Sequence, residues 1–231
     1  ENTDSDLSCR AAVLDERIFG AMTASAKVPD GWPAGIKYTN QLLWDQVPAD
    51  YQFLRARICD SSSVRRPKRL VIRRIKDRKH PCVGEHGLYA GEDIHKGVAL
   101  LDYAGQVHVA TGTDHDFSSS SYLLKLFSHE EEEGQELFVD IDAAQAGNEA
   151  RFLNDYRFIA RYPNAQFWPY YDSMTGEKRM SVKTIAPIKA GDEVLVDYGR
   201  GYFAPGSDED SGSDEEFSGS AKKKKRQRRK K

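Results

Sequence analysis

Cysteine is scarce in this chain: Cys9, Cys59 and Cys82 are the three present. An odd number, so widely spaced, argues against a disulfide framework and fits a reducing compartment. Three thiols also cannot build a four-thiolate zinc site. Cys82 with His86 would make half of a metal site, and no second half is visible. His129 is followed by glutamates and lacks the second histidine of a zinc-protease helix, so it reads as a solvated loop. No metal is expected. Long apolar runs are missing too: none approaches the roughly 18 residues of a membrane span, so no membrane partner is expected. No charged-then-apolar leader opens the sequence as it stands. No internal repeat is apparent.

Charge is what the chain has in quantity. Apolar residues make up 39% and charged residues 30% of 231 positions. That balance predicts a compact core with solvated tails. The net charge of −2 hides an asymmetry. Residues 206–231 hold six acids followed by nine basic residues and carry +3, which leaves −5 on residues 1–205. A mildly acidic body suits a basic partner better than nucleic acid. The run KKKKRQRRKK at 222–231 reads as a nuclear import signal or a handle for nucleic acid, so the expected location is nuclear. Ser207, Ser211 and Ser213 lie in the acidic stretch, where added phosphate would mask the basic run.

Texture changes along the chain. Residues 1–36 read as loop with a short helix around Ala11–Met22. Tyr38–Ile58 reads as a helix broken at Pro48, and 59–69 as a polar hinge. From Arg69 the pattern turns to short β-rich runs: RLVIRRI, GLYA, VALLDYAGQVHVA (98–110), SSSSYLLKLF (118–127) and ELFVDIDA (136–143). HEEEEGQ (129–135) is a charged turn between the last two. AQFWPYYD and KRMSVKTIAPI around Thr175–Gly176 form a hairpin. NEARFLNDY (148–156) is one helical turn or irregular chain, and GDEVLVDYG (191–199) is a turn followed by a strand. The expected fold class is mainly β with short helices, a β-rich α+β domain. The expected divisions are a partly helical flank at 1–68, the domain at 69–204, and a disordered acidic-then-basic tail at 205–231.

Each motif has a bland reading. The G-x-x-G of GEHGLYA (84–90) is by itself a turn between strands, although Gly84 and Gly87 would allow positive φ and close approach to a ligand. Tyr103 and Gly105 in DYAG are a buried tyrosine and a turn glycine. Tyr122 is a core tyrosine on a strand. Asn154 is a cap or turn residue. Tyr198 ends a strand. RRPKR and RRIKDRK at 65–79 are a solvated basic face.

Together, in this order, GEHGLYA, DYAG, NEARFLNDY and GDEVLVDYG resemble the four-part signature of the SET-domain protein lysine methyltransferases. The resemblance covers about residues 70–204. It implies small curved sheets with a knot-like C-terminal threading, S-adenosylmethionine as cofactor, and methyl transfer to a protein lysine. The expected substrate is a basic protein such as a histone tail, with non-histone methylation or a catalytically weak, chromatin-binding domain as alternatives. By the resemblance, Glu85, His86, Gly87 and Leu88 cradle the methionine part of the cofactor, His86 and Leu88 through their backbones. Asn154 binds its amine, Asp155 contacts the adenine through its backbone, and Tyr198 is both catalytic and cofactor-facing. Tyr122 is the second catalytic tyrosine, and it lines the lysine channel with Val196, Tyr202 and Phe203. Arg151, Phe152 and Asn154 match the Arg-Phe-x-Asn core, but Asp155 stands where the family has histidine. Pro163-Asn164 matches the Pro-Asn that closes the motif, after an insertion at 157–162. Neither cysteine-rich flanking zinc module is present in this sequence.

Such a site needs tyrosines rather than a hydrolytic triad. A free lysine ammonium has a pKa near 10.4. A desolvated channel and a nearby sulfonium lower it, and hydroxyls and carbonyls then align the amine.

Overall fold

The computed structural model describes residues 28–55, 70–112, 120–131 and 134–199. Contacts divide the chain after Asp197, into Glu1–Asp197 and Tyr198–Lys231. The helix expected around Ala11–Met22, the 59–69 hinge, the whole 205–231 tail, Tyr202 and Phe203 lie outside the described residues.

Eleven named strands and two 3-10 turns build the described part of the first unit. The strands are β1 (Lys37–Tyr38), β2 (Leu70–Arg74), β3 (His86–Ala90), β4 (Ala99–Asp102), β5 (Gly105–Thr111) and β6 (Leu123–Glu130). They continue with β7 (Glu136–Gly147), β8 (Asn154–Asp155), β9 (Ala165–Tyr171), β10 (Lys178–Thr184) and β11 (Leu195–Val196). They pair as four small sheets: β1-β7-β5 with β6 also on β7, then β4-β10-β9, β11-β8 and β2-β3. The β-rich fold class read from the sequence is the observed one.

β7 is the spine. Leu137, Val139, Ile141 and Ala143 alternate along it and are fully buried, as period-two patterning requires of a strand with one core face. Removing a side chain of this size from water stabilises by about 1.5–3 kcal/mol. Near its end β7 crosses the start of β5 at Gly105. A Cβ there would collide with the Asp142 carbonyl, so the glycine of DYAG permits a backbone crossing.

The flank is less helical than expected. Residues 37–38 form β1 on the end of β7, and Leu43 bridges to Gln106 of β5. One 3-10 turn, Ala49–Leu54, follows Pro48. Proline fixes φ and removes a donor, which favours such a start and prevents a helix from running through it. Leu42, Trp44, Val47 and Leu54 are buried, so 37–55 belongs to the core of the domain.

The chain end is threaded. Leu195 and Val196 pair in parallel with Asn154 and Asp155, and Tyr156 N–H donates to Val196 O. On the opposite edge, Asn164 N–H donates to Leu195 O. The Asn164 side chain donates to Glu193 O and accepts from Leu195 N–H, both at 2.8 Å. Residues 193–196 therefore run between 154–156 and 164, two pieces of chain joined by the 157–163 loop. That is the threading the resemblance implied.

Candidate active site

The NEARFLNDY segment is set by Asn148, which is fully buried. Its side-chain oxygen accepts from Ala150 N–H and caps the 3-10 turn Glu149–Phe152. Its amide donates to Asp102 O at 2.8 Å and to Asn40 Oδ1 at 3.2 Å. One side chain thus fixes the turn against β4 and the N-terminal flank.

From that turn Arg151 points into an aromatic cluster. Its guanidinium lies 4.2 Å from the Tyr122 ring centroid, 5.0 Å from Phe152 and 6.0 Å from Trp32. Arg151 Nε donates to Ala143 O at 3.0 Å. Phe152 packs edge-on against Trp32 and His86, and Trp32 against Tyr38. Partly desolvated cation–aromatic contacts of this kind contribute about 1–2 kcal/mol. Tyr122 is not on a strand as expected: it ends the turn before β6, where the Ser120 hydroxyl accepts its N–H. Its carbonyl accepts from Tyr103 Oη at 2.8 Å and from Ala143 N–H. Tyr103 is buried and structural, as read.

The second gathering point is Asn154. Its Nδ2 donates to Glu193 Oε1 at 2.7 Å and to His86 O at 3.4 Å. The other Glu193 oxygen faces two groups, His80 Nε2 at 3.1 Å and Tyr89 Oη at 3.4 Å. Cys82 N–H donates to His80 Nδ1, so the ring carries its proton on Nε2 and donates it to Glu193. Burial first, then the Glu193 carboxylate, pushes the Tyr89 phenol up to about 12. Burial, Glu193 and Glu85 likewise raise the Cys82 thiol.

The two glycines of GEHGLYA behave differently. Gly84 has φ +94° with open space at its Cβ position. Gly87 is not in the left-handed region. A Cβ on it would sit 2.6 Å from Glu193 Oε1 and 3.2 Å from Asn154 Nδ2. The side chains that crowd Gly87 are therefore those of Glu193 and Asn154. Glu85 is exposed and His86 half-buried. Leu88 is fully buried, and its carbonyl accepts from Val194 N–H.

Asp155 turns to Arg157. Its Oδ1 accepts from Arg157 N–H at 2.8 Å, and its Oδ2 pairs with Arg157 Nη1 at 2.6 Å. Arg157 Nη2 continues to Asp197 Oδ1 at 2.8 Å. Val196 is fully buried in the strand opposite Asp155. Tyr198 is half-buried, two residues past β11, and opens the second unit.

Sequence reasoning missed Glu193, His80, Tyr89, Trp32 and Arg157 as members of the site. Glu193 and Tyr89 had a signal, since they lie inside the GDEVLVDYG and GEHGLYA blocks. Trp32 had none: it reaches the cluster through tertiary packing alone. A small concavity of about 60 Å³, lined by Leu54, Phe127, Ser128, Tyr171 and Lys178, contains none of these residues. Among the described residues no His/Cys/Asp/Glu group could hold a metal.

With this geometry in place, comparison with known proteins identifies the class. Residues 85–199, about half of the chain, match the SET domain family. The chain is 27% identical over 129 residues to histone-lysine N-methyltransferase EZH2 of Chaetomium thermophilum. That match covers 51% of this chain and 8% of the relative. A humanized mutant of the Chaetomium thermophilum Polycomb Repressive Complex 2, bound to an inhibitor, is 30% identical. It covers 57% of this chain and 15% of that one, with a TM-score of 0.42. The same organism's complex in an autoinhibited conformation bound to S-adenosylmethionine gives 30%, 57%, 15% and 0.41 for the same measures. The chain belongs to the SET-domain protein lysine methyltransferase family. It spans less than a tenth of the curated relative's length.

Proposed function

We propose that this protein transfers a methyl group from S-adenosylmethionine to a lysine of a basic protein, with a histone tail as the substrate class. The observation that carries the reading is the meeting at Asn154. Asn154 from the third motif comes within hydrogen-bond reach of both the His86 carbonyl from the first and Glu193 from the last.

The residues there fit the methionine end of such a cofactor. Both Nδ2 contacts of Asn154 are to protein acceptors, and its Oδ1 has no hydrogen bond among the described residues. A carboxamide oxygen left over beside a backbone carbonyl suits an ammonium donor. Asn154 and the 85–88 loop would hold the cofactor, and Asp155 would contact it through its backbone, because its carboxylate is committed to Arg157. When bound, the cofactor supplies an electrophilic methyl on a sulfonium.

The chain's own residues would manage the amine. Tyr122 would line the channel, held by its carbonyl and by the Arg151 guanidinium on its ring. A fixed positive charge in apolar surroundings disfavours a second cation, which favours the neutral, nucleophilic amine. Tyr198 would orient that amine toward the methyl, and Val196 would line the channel. The basic run at 222–231 supports a nuclear location and a nucleic-acid contact. The histone-methyltransferase name of the relative supports the substrate class. No helix among the described residues is long and apolar enough to cross a membrane.

The test is incubation of the full chain with methyl-labelled S-adenosylmethionine and a histone mixture. Label on lysine that disappears in Tyr198→Phe supports the enzyme. Cofactor binding with no transfer to histones or to whole lysate would make the protein a binding module instead.

A further inference from the structure

We infer that Glu193 is a positioning residue: held by His80 and Tyr89, it fixes which face of the Asn154 carboxamide meets a ligand, and so gives the pocket its selectivity for an α-amino group. The inference rests on the cofactor reading above and adds three residues to it, one of which, His80, precedes the matched SET segment.

A carboxylate only accepts hydrogen bonds, so the Asn154 atom 2.7 Å from Glu193 Oε1 must be the NH2 nitrogen. The amide cannot turn over while Glu193 stays ionised and in place. Its place is secured from behind. Glu193 Oε2 receives His80 Nε2–H at 3.1 Å and Tyr89 Oη–H at 3.4 Å. His80 cannot reverse, since its Nδ1 is occupied by Cys82 N–H. The His80 and Glu193 side chains are 7% and 9% exposed, so water does not replace these partners freely. Gly87 leaves the space that lets the carboxylate come this close to β3. The consequence is an outward Asn154 Oδ1, an acceptor that favours an ammonium over a hydrogen or a methyl in the same position.

Replacing Glu193 by Gln tests this with little change of shape. The new NH2 group must lie at one of the two oxygen positions. At the Oε2 position it faces His80 Nε2–H, which cannot give way. At the Oε1 position it faces the Asn154 amide, which can rotate half a turn. The second arrangement costs less and presents Asn154 NH2 outward, where an ammonium meets a donor.

The experiment is calorimetric binding of S-adenosylhomocysteine and of its analogue lacking the α-amino group, to the full chain and to Glu193→Gln. The wild type should prefer the amine-bearing ligand by about tenfold or more, the worth of a charged hydrogen bond. In Glu193→Gln the preference should fall to within about threefold, with the analogue's own affinity nearly unchanged. Binding by the wild type with the full preference retained in Glu193→Gln overturns the inference and leaves the cofactor reading intact. Failure of the wild type to bind either ligand overturns both. Should Glu193→Gln not fold, His80→Leu and His80→Gln decide. Leucine should lower the preference and glutamine, which can replace the donor, should restore it. Equal preferences in all three proteins overturn the inference.

Discussion

Leu195 N–H donates to Asn164 Oδ1 at 2.8 Å while Asn164 N–H donates to Leu195 O at 3.1 Å. Asn164 therefore acts as a piece of strand for the threaded chain end, using a side chain where a neighbouring strand would use its backbone. With Asn164→Ala, Leu195 N–H and Glu193 O lose these partners. Leaving such groups unsatisfied costs about 1–3 kcal/mol each. The expected loss is about 3 kcal/mol in chemical denaturation. An unchanged midpoint would show that the threading does not depend on this side chain.

Gly87→Ala carries a different cost. The added methyl would sit 2.6 Å from Glu193 Oε1, and the displaced carboxylate would release Asn154. The expected outcome is a loss of S-adenosylmethionine affinity of tenfold or more, about 1.4 kcal/mol, measured calorimetrically. Gly84→Ala is the control: its positive φ makes it costly to stability, but nothing lies near its Cβ, so cofactor affinity in the folded fraction should hold.

Arg157 links Asp155 to Asp197, the last residue before Tyr198. Its side chain is 27% exposed and that of Asp197 47%, so solvent screens the outer half of the bridge. Arg157→Ala should lower stability modestly. The loss should shrink at high salt. Arg157→Lys should recover little of it, because a lysine cannot hold two carboxylates with separate nitrogens of a planar fork. Urea titration at two ionic strengths checks all three expectations.

Tyr89 supplies a pH signature. Its phenol is raised to about 12, by burial and then by Glu193. A raised folded-state pKa means that the protonated form is favoured by folding. This contribution is complete below the ordinary tyrosine value near 10 and is lost as pH climbs through 12. The phenolate absorbance difference between wild type and Tyr89→Phe should titrate near 12. In Glu193→Gln the same difference should move down toward 10. A difference already titrating near 10 in the wild type would separate Tyr89 from Glu193.

The fold was largely legible because its signals are local. Period-two runs announced β3, β5, β7, β9 and β10, and glycines marked their turns. The Tyr38–Ile58 reading failed because its apolar residues serve tertiary contacts: Lys37–Tyr38 adds to β7, and only Ala49–Leu54 after Pro48 is helical. Tyr122 was placed on a strand because LLKLF follows it directly. Ser120 accepts its N–H instead and keeps it in the turn. The site was half legible. Asn154 and the GEHGLYA loop stood out as motif residues. Asp155 stands where the family has histidine, and its partner Arg157 shows where its charge goes. His80 and Trp32 could not be read, since what makes them matter is a partner dozens of positions away.

Equilibrium binding of S-adenosylmethionine to the full chain, wild type against Asn154→Ala, tests the central claim most directly. The account predicts saturable one-to-one binding by the wild type. It also predicts a loss of tenfold or more in the variant, with cooperative unfolding retained. Absence of binding by folded wild-type protein, or equal binding by the two, would contradict it.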